Sequence, residues 1–366
     1  MATGAAGGAA LDVLHRFGSW ECSHLLIERE TGKQVEEQMP PFKALRMWAL
    51  YQTLPGRLLL ALPPTWWVLG WQHRRLAAYA NSPRSKKSIP GLIKDFAIDV
   101  STAEKPPEAY ATLQEFFARR LRPELRPIAE PNNGAVAVMP ADSRVVVFDD
   151  VAAAHRFWIK GRAFSVRRLL GLPHDQQPAP EWANCAIAIN RLAPVDCHRL
   201  HAAVSGRVVR IATHGHRFLG SEWAATHSSV NPMTENERLV MEFESDAFGP
   251  VIQVMIGASE VGSVQPLVAE GQAVRKGDEV AVFGYGGSIM TTLFRRGCIA
   301  FDTDLVANTR RDGETRVNYG MRLGVATRQA PAGVPPLPAG AGMTADVRGA
   351  GSGGMRADGG HKGTVA

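Results

Sequence analysis

From Ala135 to Phe294 the chain is a succession of short β-branched runs separated by turn signals at close intervals. In order they read "AVAVMP", "RVVVF", "CAIAIN", "GRVVRIA", "RLVMEFES", "PVIQVMIGA", "EVAVF" and "IMTTLF". Short runs rich in Val and Ile, bounded by Gly, Pro, Asn and Asp, are strand signals. The strand–helix alternation of a doubly wound sheet is absent, so this body is a compact β-rich domain with few helices. "VAEGQAVRKGDEVAVF" reads as a hairpin turning at Lys276-Gly277-Asp278. One helix precedes the strands, over residues 107–121, with Leu113, Phe116, Phe117 and Leu121 at helical spacing. Thr112 is its N-cap, with Glu115 three places on, and it stops before Arg122-Pro123.

The segment ahead of this body has a different composition. Between Gln38 and Lys94 there is no acidic residue, while Lys43, Arg46, Arg57, Arg74, Arg75, Arg84, Lys86, Lys87 and Lys94 all fall there. Among them runs "MWALYQTLPGRLLLALPPTWWVLGW", residues 47–71. A membrane span needs roughly 20 uninterrupted apolar residues, and here Pro55, Gly56, Arg57, Pro63 and Pro64 interrupt the run. Short apolar helices with basic flanks and Trp suit a segment lying on an anionic membrane; a buried helical pair is the plainer alternative. Nucleic acid is not expected, because the aromatic residues cluster with leucines rather than arginines.

The ends carry less. Residues 1–20, "MATGAAGGAALDVLHRFGSW", make a poor transit or secretion signal. Residues 328–366 are Gly, Ala and Pro with few large apolar side chains, and are expected to be disordered and dispensable. The four cysteines are scattered without a C-x-x-C pair, which suggests neither a disulfide framework nor a zinc site.

The candidates for chemistry are few. Ser288 follows two glycines in "FGYGGSIM", where a turn serine is the ordinary reading. The nucleophile elbow would need glycine at Met290, and G-x-G-x-x-G fails at Ile289, so hydrolase and dinucleotide-binding patterns are both excluded. His198 and His201 stand three apart in "DCHRLHAAVSGRV"; on a helical turn they would share a face. Either could be structural, and no third metal ligand is evident. Asp142 follows "MPA" at a strand–turn junction, a natural place for an Asx turn. An acid, a histidine pair and a serine in a glycine turn are the parts of a Ser-His-Asp relay, which is defined by geometry rather than by chain order.

From about Glu28 to Ala326 the sequence resembles the pyruvoyl-dependent phosphatidylserine decarboxylases, in a bacterial-type branch. The resemblance runs through "ERETGKQVEEQMP", "ALYQTLPGRLLL" and "LQEFFARRLRPELRPI". It continues through "MPADSRV", "DCHRLHAAVSGRV", "NERLVMEFES", "VMIGASEVGSV", "KGDEVAVFGYGGS" and "MTTLF", in order.

The resemblance implies an α+β, β-rich fold with lipoyl-like hairpins and four parts. These are a variable extension (1–27), a basic, apolar, helical membrane-associating region (28–106), a decarboxylase domain (107–327) and the tail (328–366). It implies self-cleavage between Gly287 and Ser288. The serine hydroxyl attacks the Gly287 carbonyl to give an ester, β-elimination releases the upstream chain, and the dehydroalanine hydrolyses to a pyruvoyl group with loss of ammonia. His201 would be the general base, oriented by Asp142, and His198 the participant in decarboxylation. The pyruvoyl carbonyl would form a Schiff base with the serine amine of phosphatidylserine and accept the electrons left by CO2. The two cleaved chains would stay associated, a homodimer is implied, and the protein would be peripheral on a bacterial inner or organelle membrane. A soluble decarboxylase of a free amino acid, or an inactive binding module of the same fold, are the alternatives. Two positions depart from the family pattern: Ile289 stands where threonine is usual and Ser143 where glycine is usual. Ile289 supplies no hydroxyl, so slower processing is expected.

Overall fold

The computed structural model describes residues 25–35, 41–157, 165–220, 231–258, 264–285 and 288–327. The tail beyond 327, the first 24 residues, and Gly286 and Gly287 lie outside the described residues.

The body is mixed helix and sheet, and rich in β structure. Its largest sheet has nine strands. From one edge they are β1 (Leu25–Glu28), β14 (Gly313–Val317), β3 (Ser143–Phe148), β4 (Ala186–Leu192) and β12 (Ser288–Phe294). β8 (Gly249–Ile256), β7 (Arg238–Ser245), β6 (Gly206–His214) and β10 (Ala273–Val274) complete it. Every pairing in it is antiparallel except β1 on β14. Two small antiparallel sheets accompany it: β5 (Arg199–His201), β11 (Glu279–Phe283) and β9 (Val264–Pro266), and β13 (Ile299–Phe301), β15 (Arg322–Ala326) and β2 (Val136–Val138).

The central strands are buried on both faces, which explains their near-continuous apolar character. Along β12, Met290 and Phe294 pack with Leu200, Ala281 and Leu323 of the small sheets. Ile289 and Leu293 point the other way, into a cluster with Ile187, Ile252, Leu169 and Trp182. That period-two split puts Ser288 on the side of β5 and β11.

Two sequence expectations are corrected. The segment 268–283 does not form one hairpin: β10 pairs with β6, while β11 pairs with β5 and β9. The turn itself exists, with Gly277 at φ 88°, but Lys276 donates to the carbonyls of Asn133 and Val136, pulling the chain from one sheet to another. The helix expected over 107–121 is a 3-10 turn at Pro107–Ala109 followed by an α-helix over Leu113–Phe117 only. Its N-cap holds: Thr112 accepts from the Glu115 N–H at 3.1 Å, while Glu115 accepts from the Ala111 N–H at 2.8 Å, one residue before the cap. Beyond Ala118 the backbone bonds to Thr102 and Glu104 instead, so tertiary pairing overrides helical spacing.

Ahead of this stand α1 (Pro41–Tyr51), α2 (Leu54–Ala61), α3 (Pro63–Ala80) and α4 (Ile89–Phe96); Leu113–Phe117 is α5. The prolines that interrupt the apolar run sit in the first turns of α2 and α3, where no N–H is missed. Gly56 lets α2 fold back on α1, because a Cβ there would lie 2.1 Å from the Ala49 carbonyl oxygen. Among the described residues no helix is long and apolar enough to cross a membrane. Tyr51 accepts from the Gly220 N–H at 2.7 Å, and His73 stacks on Phe218 with centroids 4.1 Å apart, fastening the helices to the body.

Candidate active site

Ser288 opens β12 opposite Leu192 of β4 and is 1% exposed. Its Oγ has no hydrogen-bond partner among the described residues. A buried hydroxyl that makes no bond costs roughly 1–3 kcal/mol, and Ser288 shares that state with Thr291 and Thr292 of the same strand. Gly287, the other side of the expected cleavage bond, lies outside the described residues.

The histidines do not sit on a helical turn. His198 immediately precedes β5 and His201 ends it. Three residues apart on extended backbone, the two imidazoles face opposite ways and meet different surroundings. His198 is fully buried against Phe117, ring centroids 3.8 Å apart, with Phe283 at 6.2 Å. Its Nδ1 lies 3.0 Å from the Asp196 carbonyl oxygen. Asp196 in turn is fixed by a buried ion pair with Arg144 and by the Ala193 N–H at 2.7 Å. The turn after β11 is tied to the same place. The Phe283 N–H donates to the His198 carbonyl at 3.0 Å, and Tyr285 lies on Phe117 at 4.9 Å.

His201 lies face to face with Tyr319, centroids 3.8 Å and planes 9° apart. Its Nδ1 is 3.1 Å from the Pro140 carbonyl oxygen, which also accepts its backbone N–H at 2.8 Å. A carbonyl only accepts, so this contact assigns the proton to Nδ1 and leaves the lone pair on Nε2. Burial lowers the proton affinity of this imidazole, outweighing the Pro140 bond and the negative charges of Glu279 and Asp142. His201 is therefore neutral at pH 7.

Asp142 does not hydrogen-bond His201. Its carboxylate takes Arg126 in a fork, Nε at 3.0 Å and Nη2 at 2.8 Å, and the Tyr319 N–H at 2.8 Å. Its hold on His201 passes through Tyr319, not through a direct bond as the relay pattern suggested. Next to it, Ser143 donates to the Ala141 carbonyl at 3.1 Å and accepts from Asn190 at 2.9 Å, so the hydroxyl stitches the turn to β4. Ile289 faces the far side of the sheet from Ser288. A threonine there would point away from the histidines, so the departure removes nothing from the side that holds them.

Sequence reasoning missed several neighbours. A cavity of about 310 Å³ is lined by Arg120, Cys197, Arg199, His201, Glu279 and Tyr319 among others. Glu279 is the strand partner of His201. Burial pushes its carboxyl up, but Arg120 at 2.9 Å and Arg199 at 2.7 Å hold it below the usual carboxylate range. Burial pushes the Tyr319 phenol up to about 12 and the Cys197 thiol up to about 11, so both stay protonated. Strand register carried the only signal for Glu279, and a single sequence does not display register. Among the described residues no group of three or more metal-binding side chains comes together.

The model of one protein family, phosphatidylserine decarboxylase, matches residues 113–325. The chain is 38% identical over 323 residues to a phosphatidylserine decarboxylase proenzyme 2 of Oryza sativa subsp. japonica, covering 87% of this chain and 51% of that protein. It is 34% identical over 310 residues to one of Komagataella phaffii, covering 85% of this chain and 30% of the yeast protein. It is 32% identical over 317 residues to a phosphatidylserine decarboxylase proenzyme of Chlamydia trachomatis, covering 82% of this chain and 96% of that protein. The chain thus spans about half of the rice relative and under a third of the yeast one, and nearly all of the chlamydial one.

Proposed function

This chain belongs to the phosphatidylserine decarboxylase family, and we propose that it converts phosphatidylserine to phosphatidylethanolamine and CO2 at a membrane surface, using a pyruvoyl group made from its own Ser288. The observation that carries the reading is the Ser288 hydroxyl: buried, without a hydrogen-bond partner among the described residues, and opening the strand that follows β11, which is tied to His198 through Phe283. A residue kept for its reactivity tolerates that cost. The surroundings fit the group: Ser288 is buried, and the chain just before it carries Phe283 and Tyr285 into the aromatic cluster of Phe117 and His198. When present, the pyruvoyl supplies a conjugated carbonyl as acceptor for the electron pair left by CO2.

The chain's own residues divide the remaining work. His201, neutral with its lone pair on Nε2, is the base that takes the Ser288 proton as Oγ attacks the Gly287 carbonyl. Pro140 fixes its tautomer and Tyr319 its plane. Asp142 fixes Tyr319 and neutralises Arg126. His198, in the aromatic wall, is the proton donor to the carbon from which CO2 has left. The aromatic wall of Phe117 and Phe283 keeps bulk water away from the His198 imidazole.

The lipid surface reading rests on α2 and α3. Leu54 is 71% exposed, Leu58 60% and Trp67 82%, and Leu62, Val68 and Trp71 are also open to solvent. No acidic residue interrupts 38–94, so an apolar face rimmed by Arg57 and Arg75 meets anionic lipid without repulsion. Both acyl chains of the substrate stay in the bilayer, so a face of this kind brings the enzyme to them.

CO2 release from phosphatidylserine vesicles, compared with release from free serine and aromatic amino acids, tests the proposal. Mass spectrometry of the same sample should find two chains, the second beginning with a pyruvoyl-blocked residue 288. Release from a free amino acid alone would move the activity to the soluble alternative, and a whole chain without release would reduce the protein to a binding module.

A further inference from the structure

A second cavity, of about 490 Å³, opens between α3 and the segment His216–Phe218. Trp66, Trp67 and Phe218 form its aromatic walls, and Arg74, His216 and Arg217 bring basic groups to it. It shares no lining residue with the cavity of His201.

Its charge is unbalanced. Arg217 is already satisfied, stacked 4.3 Å over the Trp66 ring and paired with Glu235. Arg74 and His216 have no carboxylate partner among the described residues, and no acid occurs on α3. The position is equally particular. Trp67, which lines the cavity, is also the most exposed large apolar side chain of the face formed by α2 and α3, with Val68 and Trp71 beside it. A ligand here meets basic groups and aromatic walls together, beside the exposed apolar face. That pairing fits a phosphodiester attached to acyl chains better than a free anion, which gains nothing from the tryptophans.

We propose that this cavity binds the headgroup phosphate of an anionic membrane lipid, as a site separate from the catalytic one, with Arg74 and His216 as the phosphate contacts and Trp67 against the glycerol and ester region. The inference rests on the membrane-surface reading of α2 and α3. It gives that reading a lipid preference: a zwitterionic headgroup brings its own cation to the phosphate, whereas an anionic one leaves it for Arg74. An occupied site would hold α3 at a defined depth and orientation instead of letting its apolar face float.

The test is sedimentation of the full chain with phosphatidylcholine vesicles, with and without phosphatidylglycerol, at fixed ionic strength. The wild type should partition more strongly onto the anionic vesicles. The double variant Arg74→Gln/His216→Gln should lose about tenfold of that preference while binding neutral vesicles as before, since a well-placed cation near the surface contributes on the order of 1 kcal/mol. The control Arg84→Gln/Lys87→Gln removes exposed basic groups from the same acid-free stretch but outside the cavity, and should lose far less. Equal losses in the two variants would mean a diffuse electrostatic effect and overturn the site. So would an unchanged preference in Arg74→Gln/His216→Gln, or displacement by inorganic phosphate beyond that of a chloride salt of equal ionic strength. Equal wild-type binding to both vesicles would overturn the site and leave the docking face standing. No wild-type binding to either would overturn both.

Discussion

Tyr319 lies flat on His201, ring centroids 3.8 Å apart, while its own backbone N–H is held by Asp142 at 2.8 Å. The carboxylate and the imidazole are thus joined through a third residue, and the plane of the imidazole is set against an aromatic ring.

Tyr319→Ala should slow the splitting of the chain by about tenfold, because a stacked aromatic contact is worth roughly 0.5–1.5 kcal/mol. Tyr319→Phe keeps the stack and the backbone bond and should stay within about twofold. A time course of chain separation on a denaturing gel reads both. Equal rates in all three proteins would remove Tyr319 from the positioning of His201.

Ser288→Ala should leave one intact chain, inactive toward phosphatidylserine, with a melting temperature no lower than that of the wild-type chain. The hydroxyl makes no bond among the described residues, so its removal relieves a desolvation cost of roughly 1 kcal/mol instead of breaking an interaction. A Ser288→Ala protein that still splits would put the cleavage elsewhere.

The opposite facing of the two histidines predicts separable defects. His198→Ala should cut itself at near the wild-type rate and release no CO2; His201→Ala should remain whole. Gels and CO2 release on the same preparations distinguish them, and an uncut His198→Ala chain would assign His198 to scission.

Acid should act on scission and on folding in different ranges. Burial lowers His201 below the ordinary value of 6.5, so scission should hold level through pH 6.5 and decline only beneath it. His73, 6% exposed and stacked on Phe218, is lowered to about 4. The unfolded chain then binds a proton that the folded chain refuses. The stabilisation is complete above pH 6.5 and is lost as pH falls toward 4, at up to about 1.4 kcal/mol per pH unit. Thermal melts across that window, compared with those of His73→Phe, measure the loss; identical slopes would exonerate His73.

Trp67→Ala and Leu58→Ala should each weaken binding to neutral vesicles by about tenfold, in line with roughly 1.5–3 kcal/mol for a fully buried large apolar side chain. Folding should be untouched, as both side chains face solvent. Unaltered vesicle binding would argue against α2 and α3 as the docking face.

What was legible in the sequence was local. β-Branched runs gave β2, β3, β4, β6, β7, β8, β11 and β12, and the Thr112–Glu115 pattern gave the start of α5. The tight glycine turn marked Ser288. What escaped is set by pairing between distant segments. β1 joins the sheet only because Leu25 meets Gly313, and nothing in "LLIE" announces that partner. α5 ends early because residues near Arg120 bond to residues near Glu104. The histidine spacing fits a helix or a strand equally, and only the pairing of β5 with β11 decides between them. Tyr319 and Glu279 became visible as neighbours of His201 through stacking and register alone.

β12 lies in the middle of the nine-stranded sheet, bonded to β4 on one side and β8 on the other, while β11 just before it belongs to a different sheet. The proposed break before residue 288 would therefore sever the peptide without opening any interface among the described residues, since both fragments would remain woven through a common interior. Covalent continuity is needed once, to bring these pieces together as a unimolecular event, and afterwards only their mutual packing keeps them joined. Unfolding after maturation then becomes dissociation as well, and dilution drives it one way. An enzyme matured in the proposed way would have the lifetime of a single assembly and no means of repeating it.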